Sequence, residues 1–302
     1  MKKRILYIIA LGAIALLSWY FFLRSYHYSV SFKTKHTPGA IYLEFQNGRN
    51  NSKVQNEEFL IDRYPTAIRF SEIYENNDSL IEINWEFERV NESISRVSAK
   101  FTDHNNYWKQ KMIVPFVKND FVRFSISKAK EQLGILTKHQ KQYKISKVTE
   151  AQIPERYCAC TSVKDATMQT KANKMMFYNK TLVDFFRAND FKIKDFPLLD
   201  VTHWDFATEA LNFDFCFPVP KQENYKNIGD IVFKTIPAQK ALKITFNGNY
   251  IISDRSWFSI VEYAAKEGIE ISPLPIEFYF NDPHSGENEI NWVTEVYMPI
   301  LE

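Results

Sequence analysis

Thr294-Glu295-Val296-Tyr297-Met298-Pro299-Ile300 closes the chain as an aromatic strand bearing one acid, and Phe213-Asp214-Phe215-Cys216-Phe217-Pro218-Val219 is an earlier segment of the same design. Ile236-Pro237-Ala238-Gln239 opens the later segment, and Ile153-Pro154-Glu155-Arg156 opens the earlier one. Each opening leads into a short strand, an amphipathic helix and two further strands, so residues 237–300 read as a degenerate second copy of 154–219. Aligning Pro218 with Pro299 sets Asp214 opposite Glu295. The expected fold class is α+β, and an acid in each half places the natural cleft between the halves.

In the first copy, strands are expected at 157–163, 198–204 and 212–217. A helix over 174–189 carries Met175, Tyr178, Leu182 and Phe186 on one face. In the second copy, 242–246 is a strand, Asn247-Gly248-Asn249 turns, and Ser253 or Asp254 caps a helix bearing Trp257, Val261 and Ala264. Gly268 sits where a C-terminal cap is wanted. Strands over 277–280 and 292–298 complete the copy around the loop that contains His284. His203 and His284 are isolated and carry no functional pattern.

Ile236-Pro237-Ala238-Gln239-Lys240-Ala241, Phe246-Asn247-Gly248-Asn249-Tyr250, Glu277-Phe278-Tyr279-Phe280-Asn281-Asp282-Pro283 and the closing strand resemble the GyrI-like effector-binding family. The resemblance covers a domain at 148–302. It implies two strand–helix–strand–strand units about a pseudo-twofold axis, with an aromatic-lined cavity between them. It also implies that an acid at the position of Glu295 contacts cationic ligands, and that some relatives hydrolyse small strained substrates with that acid and an aromatic hydroxyl. A carboxylate in an apolar hollow is costly to desolvate, and a lipophilic cation offsets that cost with charge and cation–π attraction. Along the strand Glu295 and Tyr297 share a face. The candidate ligand-binding residues are Glu295, Tyr297, Asp214, Trp204, Tyr279, Tyr250 and Trp257. The plainer readings stand beside them: a solvated Glu295, a structural Asp214 and a Trp257 that belongs to the core.

Residues 26–147 form a different unit. Tyr28, Val30 and Phe32 alternate with polar residues as a strand, Thr37-Pro38-Gly39 starts a short helical stretch through Phe45, and 48–58 read as a polar loop. Ile81, Ile83, Trp85 and Phe87 alternate with Glu82, Asn84, Glu86 and Glu88, giving a strand with one buried and one wet face. Val97, Ala99 and Phe101 return after a hairpin, and 109–114 supply a further strand. Val122, Ile126, Ala129, Leu133 and Leu136 then form a helix stripe capped by Asn119 or Asp120. Strand, short helix, antiparallel strands and one long helix resemble, in that order, the START-like (polyketide cyclase) superfamily. That resemblance implies a helix lying across a curved sheet.

Ile5 to Leu23 are 19 consecutive uncharged residues preceded by Lys2-Lys3-Arg4, just long enough to cross a bilayer core of about 30 Å. The expected arrangement is a membrane anchor at 1–25, its N-terminus cytoplasmic and the soluble domains extracytoplasmic. A cleaved signal is the competing reading, but the apolar run continues past Ala13-Ile14-Ala15. Net charge of +2, with no dense basic patch and no helix-turn-helix segment, gives no reason to expect nucleic acid as a partner. No metal-ligand cluster, phosphate loop or Ser/His/Asp ordering is visible, so no cofactor is expected. Cys158, Cys160 and Cys216 read as small buried thiols, with a disulfide from Cys216 to one of the others open in an oxidising compartment. The leading expectation is a membrane-tethered protein that binds a small amphipathic organic ligand, lipophilic cations included. The alternative is a hydrolase of small reactive molecules that uses Glu295 and a nearby Tyr.

Overall fold

A computed structural model describes residues 2–49, 59–63, 67–76, 78–206, 208–221, 227–283 and 285–301. The chain divides into two compact units, Met1–His36 with Glu44–Leu136, and Thr37–Leu43 with Thr137–Glu302.

The first unit begins with α1 (Lys2–Ser18), which continues through one wider turn, Trp19–Leu23. Arg4–Leu23, with mean hydropathy 2.2 and none of it buried, is the one helical run among the described residues long and apolar enough to cross a membrane. Strands β1 (Tyr28–Thr34), β2 (Phe59–Arg63), β3 (Ala67–Asn76), β4 (Ser79–Asn91) and β5 (Ile94–Asp103) make an antiparallel sheet in the order β1-β5-β4-β3-β2. The period-two pattern of β4 buries Ile81, Ile83, Trp85 and Phe87. Phe45 packs on that face, its ring centroid 4.8 Å from Trp85 and 4.9 Å from Phe87. Glu86, on the other face, pairs with Arg69 at 2.7 Å and Lys100 at 3.4 Å, so the acidic side of β4 is neutralised by its neighbours.

Several elements depart from the sequence pattern. The helix begun at Pro38, α2 (Pro38–Arg49), runs past Phe45, while 50–58 lie outside the described residues. The strand expected at 109–114 is a helix, α3 (Tyr107–Ile113). Asp103 accepts from the Asn106 amide at 3.1 Å and from Gln110 Nε2 at 3.1 Å, so it starts a helical turn where the strand ends. In α4 (Asp120–His139), Asn119 Oδ1 accepts from the Val122 amide at 3.1 Å as the cap. The buried line there is Phe121, Val122, Ser125, Ala129 and Leu136, and Leu133 is exposed.

The second unit is a single antiparallel sheet backed by two helices. Its strands are β6 (Tyr143–Ile145), β7 (Thr149–Gln152), β8 (Arg156–Thr167), β9 (Leu198–Asp205), β10 (Ala210–Pro218), β11 (Ile231–Ile236), β12 (Lys240–Gly248), β13 (Ile276–Tyr279) and β14 (Val293–Pro299). The order is β11-β8-β10-β9-β13-β14-β12-β6, with β7 also on β12. Between β8 and β9 runs α5 (Lys171–Ala188), and between β12 and β13 runs α6 (Trp257–Glu267), closed by Gly268 at φ 69°. Residues Ser253 and Asp254 do not cap α6; the Asn249 carboxamide accepts from the Ile251 amide at 3.0 Å and starts a tight turn, Tyr250–Ser256, ahead of it. Leu199, Phe213, Phe215, Ile244 and Val296 face the helices, while the residues between them along each strand face away.

Gly39 belongs to this second unit, and a Cβ there would fall inside the ring of Phe258. Phe258 is held by Trp204 at 5.6 Å and Phe206 at 5.3 Å, so its ring has no room to swing away. Gly39→Ala is expected to destabilise the protein by about 1–3 kcal/mol through overpacking, against a helix-propensity gain of about 1 kcal/mol. Thermal melts check this: Tm falls in the single variant and partly recovers with Phe258→Leu.

Candidate functional site

On the face of the second sheet turned away from the helices, Glu295 and Tyr297 of β14 lie side by side, as period-two alternation requires. In the β12–β14 register Lys243 stands opposite Tyr297. Lys243 Nζ lies 2.5 Å from Glu295 Oε1, and the Tyr297 hydroxyl donates to Glu295 Oε2 at 2.6 Å. Glu295 and Tyr297 line a cavity of about 320 Å³ whose walls also include Phe196, Phe278, Phe280, Arg156 and Asp195. The Phe278 ring meets the Tyr297 ring edge-on at 5.5 Å. Burial, then the hydrogen bond to Glu295 and that group's charge, push the Tyr297 hydroxyl well above the usual phenol range. It therefore stays a proton donor at neutral pH. The cavity thus combines aromatic walls with two carboxylates, Glu295 beside Lys243 and Asp195 3.9 Å from the Arg156 guanidinium.

Asp214 faces the same side but does not share the cavity. Lys234 Nζ lies 2.6 Å from Asp214 and 2.6 Å from Asp200, and Ser162 Oγ donates to Asp214 at 2.6 Å. Burial works to lower the Lys234 pKa, but the hydrogen bonds and charges of the two aspartates outweigh it and raise the pKa. The expected pairing of Asp214 with Glu295 across one cleft is corrected by strand order. β9 and β13 stand between β10 and β14, which puts the two acids roughly 14 Å apart at about 4.8 Å per strand.

Tyr250, Trp257 and Trp204 do not line that cavity: they lie on the helix-covered side, around an acid the sequence reading passed over. Glu277 of β13 is fully buried. Trp257 Nε1 donates to its Oε1 at 2.6 Å, and Ser253 Oγ and the Tyr279 hydroxyl donate to its Oε2 at 2.9 and 2.6 Å. Lys171 Nζ lies 3.9 Å from Glu277 and 3.2 Å from Asp254, and Arg255 lies 2.5 Å from Asp254. Two cations and two anions therefore balance inside the core. Trp204 stacks edge-on against Trp257 at 5.2 Å, and Tyr250 lies 4.7 Å from Tyr279. Tyr279 contributes to the cavity lining, but its hydroxyl is committed to Glu277; burial first, and that acid second, raise its pKa well above the phenol range. Burial likewise pushes Tyr250 up to about 12. The available signal for Glu277 was a lone acid inside Pro275-Ile276-Glu277-Phe278-Tyr279-Phe280, an otherwise apolar run.

Cys160 and Cys216 form a disulfide, and Cys158 is a free, buried thiol pushed by burial up to about 12. Among the described residues, no group of three His, Cys, Asp or Glu side chains is placed to hold a metal. His203 is exposed, and His284 lies outside the described residues.

Residues 156–301, within the second unit, match the family described as the GyrI-like small molecule binding domain. Among solved structures, the EcmrR C-terminal domain is similar at 16% identity over 53% of this chain and 98% of that one, with TM-score 0.44. The EcmrR–DNA complex is similar at 16% identity over 61% and 72%, with TM-score 0.45. SAV2435 bound to tetraphenylphosphonium is similar at 11% identity over 52% and 94%, with TM-score 0.37. No curated protein matches the chain. The expectation of no nucleic-acid partner rests on the sequence alone.

Lys171→Met leaves Asp254 and Glu277 without their shared cation, and removing one member of a buried ion cluster costs about 3–5 kcal/mol. The expected outcome is a denaturation midpoint shifted strongly downward in urea, followed by the near-UV circular dichroism of Trp257.

Proposed function

We propose that the second unit holds a small amphipathic organic ligand in the cavity beside Glu295 and Tyr297, and that the apolar helix Arg4–Leu23 tethers the chain with both units outside the cytoplasm. The observation that carries the binding reading is the pair Glu295 and Tyr297, with Lys243 bound to the acid, lining a hollow walled by Phe196, Phe278 and Phe280. The Cys160–Cys216 disulfide supports an oxidising location. For the first unit, the chain order β1, α2, β2 to β5, α4 supports the START-like reading.

The halves of the second unit are read as a duplication, and their strand registers support this. Pro218 pairs with Cys158 as Pro299 pairs with Ala241, and Asp214 pairs with Ser162 as Glu295 pairs with Thr245. On that alignment the Cys160–Cys216 disulfide occupies the place that Lys243 and Tyr297 hold in the second half. The first half therefore has a covalent cross-link where the second has a lysine facing a tyrosine.

Glu295 already has a cation, so a cationic ligand must displace Lys243 from it. Titrating the full chain with tetraphenylphosphonium is expected to give opposite effects. Glu295→Gln weakens binding about tenfold, roughly 1.4 kcal/mol, and Lys243→Met strengthens it. Equal affinity in all three proteins would remove Glu295 from the site.

A second reading is favoured by one contact, the Tyr297 hydroxyl 2.6 Å from Glu295 in the same hollow. There Glu295 would take a proton from an attacking water while Tyr297 donates to the oxygen that gains charge. A panel of activated esters and strained rings tests it: turnover above the buffer rate that Glu295→Gln abolishes supports hydrolysis, and turnover unchanged in that variant excludes it.

A further inference from the structure

The first unit leaves an apolar face bare beside the end of its membrane-length helix. Trp108 is 58% exposed, Met112 61%, Phe116 86% and Val117 55%, all within α3 and the loop that follows it. Lys109 and Lys118 flank them, also exposed, and no acid occurs between Asp103 and Asp120. This segment is fixed to the apolar helix by a buried cation. Lys111 is fully buried, and its Nζ donates to the carbonyl of Tyr20 at 3.0 Å and to that of Arg24, while the Tyr20 hydroxyl donates back to the Lys111 carbonyl at 3.0 Å. Lys111 thereby satisfies carbonyls that the end of a helix leaves without partners. The bond also fixes the depth of α3: it lies level with the point where Arg4–Leu23 runs out of apolar residues.

We propose that residues 107–118 are a second membrane contact, set into the phospholipid headgroup layer. Trp108, Met112 and Phe116 sit at the acyl boundary, and Lys109 and Lys118 meet lipid phosphates. Trp is suited to that depth because its ring is apolar and its N–H is polar. The flanking lysines gain from anionic lipid, as basic residues near a charged bilayer do. The proposal rests on the tethered reading above and adds that the first unit lies against the bilayer instead of hanging free on its anchor.

The test uses the full chain in phosphatidylcholine–phosphatidylglycerol vesicles. A polarity-sensitive nitrobenzoxadiazole label is placed at Phe116→Cys and, for comparison, at Ser93→Cys in the β4–β5 turn, with the unsubstituted chain as background. β5 has 10 residues, which sets that turn roughly 30 Å from α3. The label at 116 is expected to be blue-shifted and several-fold less quenched by aqueous iodide than the label at 93, and to be quenched by nitroxide-bearing lipid. A carbonate-resistant chain whose two labels are equally open to iodide overturns the surface contact and leaves the anchor standing. Carbonate extraction of the chain overturns both. Protection at 116 that falls away when empty lipid dilutes the protein also overturns the proposal, in favour of self-association.

Discussion

A carboxylate sealed from water must find every partner inside the protein, and Glu277 imposes that demand on the second unit. Its donors come from the turn before α6 (Ser253), from α6 itself (Trp257) and from its own strand (Tyr279), and α5 adds the Lys171 charge 3.9 Å away. Stripping an ion of water costs several kcal/mol, and only good geometry offsets that cost. Lys171 and Arg255 against Asp254 and Glu277 make the cluster neutral, so α5 and α6 are held in one register over β13. The helix-backed face is thereby rigid, which leaves the other face free to carry exposed chemistry.

That open face follows a different rule. Three acids there have a lysine from another strand: Lys243 of the adjacent β12 for Glu295, and Lys234 of β11 for both Asp200 and Asp214. The hollow is therefore not a bare negative well, and what enters it must exchange partners and not merely supply charge. The disulfide adds a second restraint, because the stretch between Cys160 and Cys216, a sequence separation of 56, encloses α5 and β9. Closing a loop of that length removes about 4 kcal/mol of freedom from the unfolded chain.

Local periodicity made the pairing of Glu295 with Tyr297 legible, since two residues apart on a strand means one face. The same reasoning found β4, the cap at Asn119 and the glycine end of α6. It failed where the answer depends on distant parts of the chain. Asp214 could be placed only once strand order was known. Trp204 lies beyond a register shift between Asn212 and Phe213, which breaks simple alternation. Tyr250 and Trp257 belong to a turn and a helix packed around Glu277, and an acid alone in an apolar run does not say which distant groups will meet it. At α3 a single inward acid, Asp103, replaced a strand by a helix, which no apolar pattern signals.

The family match begins at residue 156, yet β12 takes partners from further back: β7 along Lys240 to Lys243 and β6 along Phe246 to Gly248. Ser146 fills the gap between them, its hydroxyl accepting from the Thr245 amide at 2.9 Å. Residues 143–152 are thus a selvedge on the sheet. A fragment trimmed to the family boundary would bare a row of unpaired amides and carbonyls along β12, an invitation to stick edge to edge with other molecules.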